Sequence, residues 1–269
     1  MKTERGRRPE IVTLLTDFGL KGEYSGAMKG VILKINPRCQ VVDITHQITP
    51  QNIQEASFVL SSIYPYYPSG TVHVVVVDPG VGTKRRPIIL QKDGFFFVGP
   101  DNGVFTSILS GKGKITGYEI SRKEFFLTPI SETFHGRDIF APVAGLLSLG
   151  KAPKLFGPRI EGFIQTRWPQ PRIKGGKILG QVLWADSFGN LITNISRKGY
   201  ERLIGGHSIQ IKGKGWQIKR LYRTYEQGQP GEPLALFGSM GRLELAVNQG
   251  CARKILGLNP GDPVIITLI

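Results

Sequence analysis

From Ile11 to about Gly150 the chain alternates short runs of β-branched residues with longer segments whose apolar positions recur every three or four residues. No other feature constrains the fold as much, because strands joined by helical crossovers build a largely parallel sheet covered by helices. Ile11–Leu15 reads as a buried strand that ends at Thr16-Asp17-Phe18-Gly19. Glu23–Ile35 places Met28, Val31, Ile32 and Ile35 on one helical face and is stopped by Asn36-Pro37. Gln40–Ile44 is the next strand and Gln51–Ile63 the next helix. Val72–Val77, valine throughout except for His73, reads as a central strand ending at Asp78-Pro79-Gly80. Ile88–Leu90 and Phe95–Val98 read as a hairpin about Asp93-Gly94, and helical spacing returns over Asn102–Leu109 and Ile139–Leu149.

Between Gly157 and Gly180 periodicity is lost among Pro158, Pro169, Pro171 and Gly175-Gly176, which is where a linker is expected. Beyond it short strands recur without helical spacing: Ile178–Trp184, Ser208–Ile211, Gln217–Tyr222, Pro233–Phe237, Leu243–Val247 and Val264–Leu268. The expected organisation is an α/β domain with a mostly parallel central sheet over 1–165, a linker over 166–179, and a small all-β barrel-like domain over 180–269.

Gly and Pro, 35 and 18 residues, are too few for a collagen-like or disordered chain. No run approaches the ~20 apolar residues of a membrane helix. Met1–Glu10 is charged and lacks the apolar segment of a secretory signal, so a cytoplasmic protein with Cys39 and Cys251 reduced is expected. The 35 Lys and Arg exceed the 20 Asp and Glu by 15, which raises nucleic acid, an anionic membrane surface or an acidic substrate as partners. Most of the excess falls between Thr166 and Arg223, where twelve basic residues meet only Asp186 and Glu201.

Open α/β sheets bind ligands at the carboxyl ends of their strands. Asp17, Asp78 and Asn102 follow predicted strands, and His135 stands at the mouth of a helix. Taken singly, each is explained as well by a turn or a cap. His46 lies in a Thr-rich loop, His73 inside the valine strand and His207 in a Gly-Gly turn, and neither histidines nor cysteines have metal-ligand spacing. The P-loop, the dinucleotide-binding Gly-x-Gly-x-x-Gly and the Gly-x-Ser-x-Gly elbow are all absent.

Together, however, Thr16-Asp17-Phe18-Gly19, Met28-Lys29-Gly30, Val76-Val-Asp78-Pro-Gly-Val-Gly-Thr83, Gly99-Pro-Asp-Asn-Gly103, Thr133-Phe-His-Gly-Arg-Asp138 and Ser187-Phe-Gly-Asn-Leu-Ile-Thr-Asn194 occur in this order. With them the sequence resembles the S-adenosyl-L-methionine (SAM) hydroxide adenosyltransferases, or SAM hydrolases, relatives of the bacterial fluorinase and chlorinase. The resemblance implies hydrolysis of SAM to adenosine and L-methionine by in-line attack of water on ribose C5′, with SAM as substrate and neither cofactor nor metal. It implies Asp78, Arg85 and His135 as the catalytic group, Asp78 and His135 holding the water and Arg85 stabilising hydroxide character; Arg85 is preferred over the adjacent Arg86 by the family pattern alone. It further implies Asp17 on the ribose hydroxyls, Asn102 near the ribose, Asn190 on adenine, Asp186 on the methionine ammonium, and contacts from Ser239, Glu244 and Val247. Gly22 and Met240 depart from residues that relatives use near the methionine end. A homotrimer with the site at the subunit interface is implied, with no membrane partner. A 5′-halogenase-like enzyme and a basic nucleic-acid-binding protein are the competing readings; for the second, the basic count is the main support.

Overall fold

β3 (Val72–Val76) is buried along its whole length because it lies in the middle of a seven-stranded sheet. In the computed structural model, which describes residues 10–204, 208–213 and 215–268, the chain divides into two units, Met1–Arg167 and Trp168–Ile269. The segment 1–9 and His207 lie outside the described residues.

The first unit runs β1 (Ile11–Thr16), α1 (Tyr24–Ile35), β2 (Gln40–Thr45), α2 (Ile53–Ile63), β3, β4 (Pro87–Lys92), β5 (Phe95–Pro100), α3 (Thr106–Leu109), β6 (Ile115–Glu119), α4 (Ala141–Ser148) and β7 (Arg159–Ile160). The sheet order is β2-β1-β3-β5-β4-β6-β7. The first four strands of that order are parallel, and β4, β6 and β7 each pair antiparallel with their neighbours. Alternation along the strands feeds two cores. Val12, Leu14, Val74 and Val76 pack with Met28 and Ile32 of α1 and with α4, whereas Leu15, Val75 and Val77 pack with Ala56 and Leu60 of α2 and with Ile108 of α3. Helices therefore cover both faces, and the connections leave β1 and β3 in opposite directions, making a switch point between them.

The second unit runs β8 (Arg172–Lys174), β9 (Lys177–Ala185), β10 (Leu191–Ser196), α5 (Arg197–Ile204), β11 (Ile209–Gly213), β12 (Trp216–Ile218), β13 (Pro233–Phe237), β14 (Arg242–Val247), α6 (Ala252–Leu256) and β15 (Pro263–Leu268). Its order is β12-β11-β15-β9-β10-β14-β13, with β8 beside β9, and every pairing between these strands is antiparallel. Tyr222, just past β12, bridges Leu236 of β13, so the two ends of the sheet approach each other and the unit is barrel-like.

The helix expected over Asn102–Leu109 begins only at Thr106. Asn102 closes a turn instead: its Nδ2 donates to the Val77 carbonyl at 2.9 Å, its Oδ1 accepts the Val104 N–H at 3.1 Å, and Gly103 takes φ +100°. β10 lacks a clear apolar signal because Asn194 sits within it; the buried amide is satisfied by the Gln181 N–H and the Pro169 carbonyl.

Candidate active site

β3 stops at Val76 and Asp78 follows it; the chain then turns back into the sheet as β4, which skips the place taken by β5 and runs the opposite way. β4 thus begins at the end where β3 stops, and Arg85, just ahead of it, returns to Asp78. Arg85 Nε lies 3.0 Å from both Asp78 carboxylate oxygens, and Nη2 also donates to Oδ2. The same Nη2 donates to His135 Nδ1 at 2.8 Å. Only 8% of the Arg85 side chain and 5% of the Asp78 side chain are exposed, so the pair is shielded from the screening that makes most surface ion pairs weak. The guanidinium lies 5.5 Å from the centroid of the fully buried Phe140 ring.

Phe140 ends a π-helical turn, Gly136–Phe140, that starts directly after His135 and leads into α4. Such turns are rare and often mark functional positions. A guanidinium has donors only, so the Nδ1 that meets Arg85 accepts, and His135 is the neutral imidazole with its hydrogen on Nε2. Burial and the Arg85 charge both hold the His135 pKa below its ordinary value, against partial opposition from Asp78 and Asp138. The turn carrying Asp78 and the loop leading to His135 touch at Gly82, whose φ is +77°; a Cβ there would stand 2.5 Å from the Glu132 carbonyl oxygen.

Two neighbouring arginines have separate duties. Arg86 donates from Nε to Asp101 Oδ2 at 3.1 Å and from Nη2 to the Gly162 carbonyl at 2.7 Å, while Asp101 Oδ1 accepts the Ile164 N–H at 2.9 Å. Arg86 straps residues 162–164 to the loop after β5, and Arg85 alone faces Asp78.

Asp17 stands at the end of β1, next to the switch point, and its Oδ2 accepts the Gln51 N–H at 2.8 Å. Gln51 is a non-glycine residue at φ +63°, a strained conformation of the kind found at functional sites. Asp17, Asp78, Arg85, Asn102 and His135 therefore gather at the carboxyl end of the parallel strands of the first unit.

In the second unit Asp186 Oδ1 accepts the Phe188 and Asn190 N–H groups at 2.9 and 2.8 Å, and Oδ2 accepts Asn190 Nδ2 at 3.0 Å. Glu244 lies across from Ile192 on β14, and Tyr225 donates its hydroxyl to Glu244 Oε2 at 2.9 Å. Burial raises the Glu244 carboxyl, helped by the charge of Asp186, and the Tyr225 phenol is pushed up to about 12 by burial and by its bond to Glu244. Val247 is buried at the end of β14, whereas Ser239 is exposed in the turn from β13. A cavity of about 650 Å³ is lined by Asp186, Phe188, Gly189, Cys251, Arg253 and Asn259, with Phe188 78% exposed at its side. Trp184 is buried in the unit and Trp216 packs against its core. Tyr225 opens a 3-10 turn, Tyr225–Gln227, and no sequence motif surrounds it to signal a role. Among the described residues no cluster of three or more His, Cys, Asp or Glu is arranged to hold a metal ion.

Residues 12–157 match the SAM hydroxide adenosyltransferase N-terminal domain and residues 180–265 match the corresponding C-terminal domain. An (R)-S-adenosyl-L-methionine hydrolase of Thermus thermophilus is 37% identical over 267 residues, covering 94% of this chain and 98% of the relative. A fluorinase of Actinoplanes sp. is 25% identical, covering 96% of this chain and 97% of the relative. A crystal structure of an uncharacterized conserved protein from Thermotoga maritima superposes with a TM-score of 0.88 at 37% identity, covering 95% of this chain and 99% of that one.

Proposed function

Because the chain belongs to the SAM hydroxide adenosyltransferase family, we propose that it hydrolyses SAM to adenosine and L-methionine, with Asp78, Arg85 and His135 as its catalytic residues. The observation that carries this reading is the linked Asp78–Arg85–His135 group at the strand ends beside Asp17. Water attacks ribose C5′ as the C5′–S bond breaks; the bonding electrons go to sulfur, which leaves as the neutral thioether of methionine. No general acid is needed at the leaving group, so the work lies in holding and polarising the water.

Asp78 accepts a hydrogen bond from that water, and the neutral His135 offers it the Nε2 hydrogen. Arg85 fixes both partners and stabilises the negative charge that develops on oxygen as the water's proton passes to the Asp78 carboxylate and from there to solvent. A halide placed there would meet the Asp78 carboxylate and be repelled, which disfavours halogenation. Asp17 takes the ribose hydroxyls and Asn102 borders the ribose. Asp186, Asn190, Ser239, Glu244 and Val247 receive the adenine and methionine portions; within a homotrimer, this second group comes from a neighbouring subunit.

Chromatography of products after incubation with SAM tests the reaction: adenosine and methionine are expected, and a 5′-halo-5′-deoxyadenosine formed in chloride or fluoride would reject it. Asp78→Ala, Arg85→Ala and His135→Ala should each lower kcat on the order of 100- to 1,000-fold while adenosine still binds. Equal loss of adenosine affinity in all three would overturn the division of roles.

A further inference from the structure

We propose that His46 is a positioning residue for Asp17, acting through the Thr16 hydroxyl and its own backbone carbonyl; the inference rests on the reading of Asp17 as the ribose-binding carboxylate. His46 is 4% exposed and Thr16 is fully buried, and Thr16 Oγ1 lies 2.8 Å from His46 Nδ1. Thr16 Oγ1 also accepts the Phe18 N–H at 3.3 Å, so one hydroxyl spans the turn in which Asp17 sits. The His46 carbonyl accepts the Gly19 N–H at 2.7 Å, and the Thr16 carbonyl accepts the Ile48 N–H at 3.4 Å. Together with the Gln51 bond to Asp17 Oδ2, these contacts lace segment 46–51 to segment 16–19 on both sides of the carboxylate.

Behind His46 stands Asp43. Its Oδ1 is 3.0 Å from His46 Nε2, bent out of hydrogen-bond alignment but close enough for electrostatic attraction, and its Oδ2 receives Lys29 Nζ at 2.5 Å. Burial would raise the Asp43 carboxyl, but Lys29 and His46 outweigh it and bring it below its ordinary value. A carboxylate facing Nε2 favours the tautomer with the hydrogen on that nitrogen, leaving Nδ1 to accept the Thr16 O–H while the Thr16 lone pairs remain for the Phe18 N–H. Thr, His and Asp in contact have the composition of a nucleophile triad, but the Thr16 hydroxyl is sealed from solvent and no substrate reaches it. What the chain can do is hold a turn. A carboxylate that must meet two vicinal hydroxyls at once has little tolerance for displacement, and small misplacements cost binding steeply.

The test uses the full chain with His46→Leu, His46→Asn and Thr16→Val. Readouts are adenosine affinity by calorimetry, KM and kcat for SAM, melting temperature, and hydrogen exchange at the Phe18 and Gly19 amides. His46→Leu and the nearly isosteric Thr16→Val should each weaken adenosine binding and raise KM by about 10-fold, the size of one lost buried hydrogen bond, with kcat within about 2-fold. The double variant should be no worse than the weaker single one, because both changes cut the same link. His46→Asn, whose Oδ1 can accept in place of Nδ1, should recover adenosine affinity to within about 3-fold of the parent. Unchanged adenosine affinity in both His46→Leu and Thr16→Val, or a fall in kcat with KM unaltered, overturns the proposal; so does failure of His46→Asn to recover binding at an unaltered melting temperature. If the parent protein makes no adenosine from SAM, the proposed reaction fails separately. Amide exchange still decides the positioning role in that case: about 10-fold faster exchange at Phe18 and Gly19 in Thr16→Val upholds it, and unchanged exchange rejects it.

Discussion

His135 and Arg85 meet through the one ring nitrogen that can accept, and the consequence can be measured. Burial and the Arg85 charge lower the His135 pKa while Asp78 works in the other direction. In an NMR titration His135 should therefore protonate below the ordinary imidazole value of about 6.5, move upward in Arg85→Met, and fail to rise in Asp78→Asn. The folded chain binds the His135 proton later than the unfolded chain does, so this residue's effect on stability declines as pH falls below that ordinary value. Arg86 offers the contrasting case. Its partner Asp101 is 2% exposed and tied to Ile164, so Arg86→Lys should cost roughly 1–3 kcal/mol of stability and leave kcat near that of the parent, whereas Arg85→Lys should lose turnover. These adjacent arginines are not divided by composition or spacing, and it is the resemblance to the family pattern alone that prefers Arg85. They sit side by side in one basic run, and only the direction of β4 decides which faces which carboxylate.

β3 shows what was legible at the level of elements. Its valines declared a central strand, and the strands on either side of it were equally plain, because burial on both faces leaves an unbroken apolar run. Less was visible where polar side chains do structural work. Helical spacing runs straight through the Asn102 turn, β10 is hidden by its buried Asn194, and the π-helical turn after His135 carries no periodicity of its own. His73 lies inside β3. It is fully buried, bonded to Thr13 Oγ1 at 2.8 Å through Nδ1, stacked on Phe97, and held by desolvation to a pKa of about 3. The unfolded chain protonates near the ordinary imidazole value and the folded chain does not, so His73 makes stability fall with pH by roughly 1.4 kcal/mol per unit below that value, down to a pH of about 3. His73→Leu combined with Thr13→Val should flatten this slope in acid denaturation followed by circular dichroism.

For the whole molecule, the excess of 15 positive charges raises an anionic partner, yet SAM itself carries net positive charge and gains nothing from long-range attraction to such a protein. The carboxylates Asp17, Asp78 and Asp186 outnumber Arg85 among the proposed contact groups, a local reversal suited to a cationic ligand. The proposed trimer makes a sharper claim than any charge count. Asp78→Ala and Glu244→Ala, each inactive alone, should regain activity when refolded together, since roughly a quarter of the sites in randomly mixed trimers would pair two intact halves; mixtures as dead as their parents would rule out a shared site.

The antiparallel entry of β4 has an evolutionary consequence. Side chains alternate along a strand, and β4 is registered against β5 from Pro87 opposite Pro100 to Lys92 opposite Phe95. A single-residue deletion in the turn between Asp78 and Arg85 that pulled β4 along by one position would swing Arg85 away from Asp78 and present Arg86 in its place. The same slip would carry Pro87 to the place of Arg86 and leave the buried Asp101 without its cation, so the length of this turn is fixed by both arginines at once.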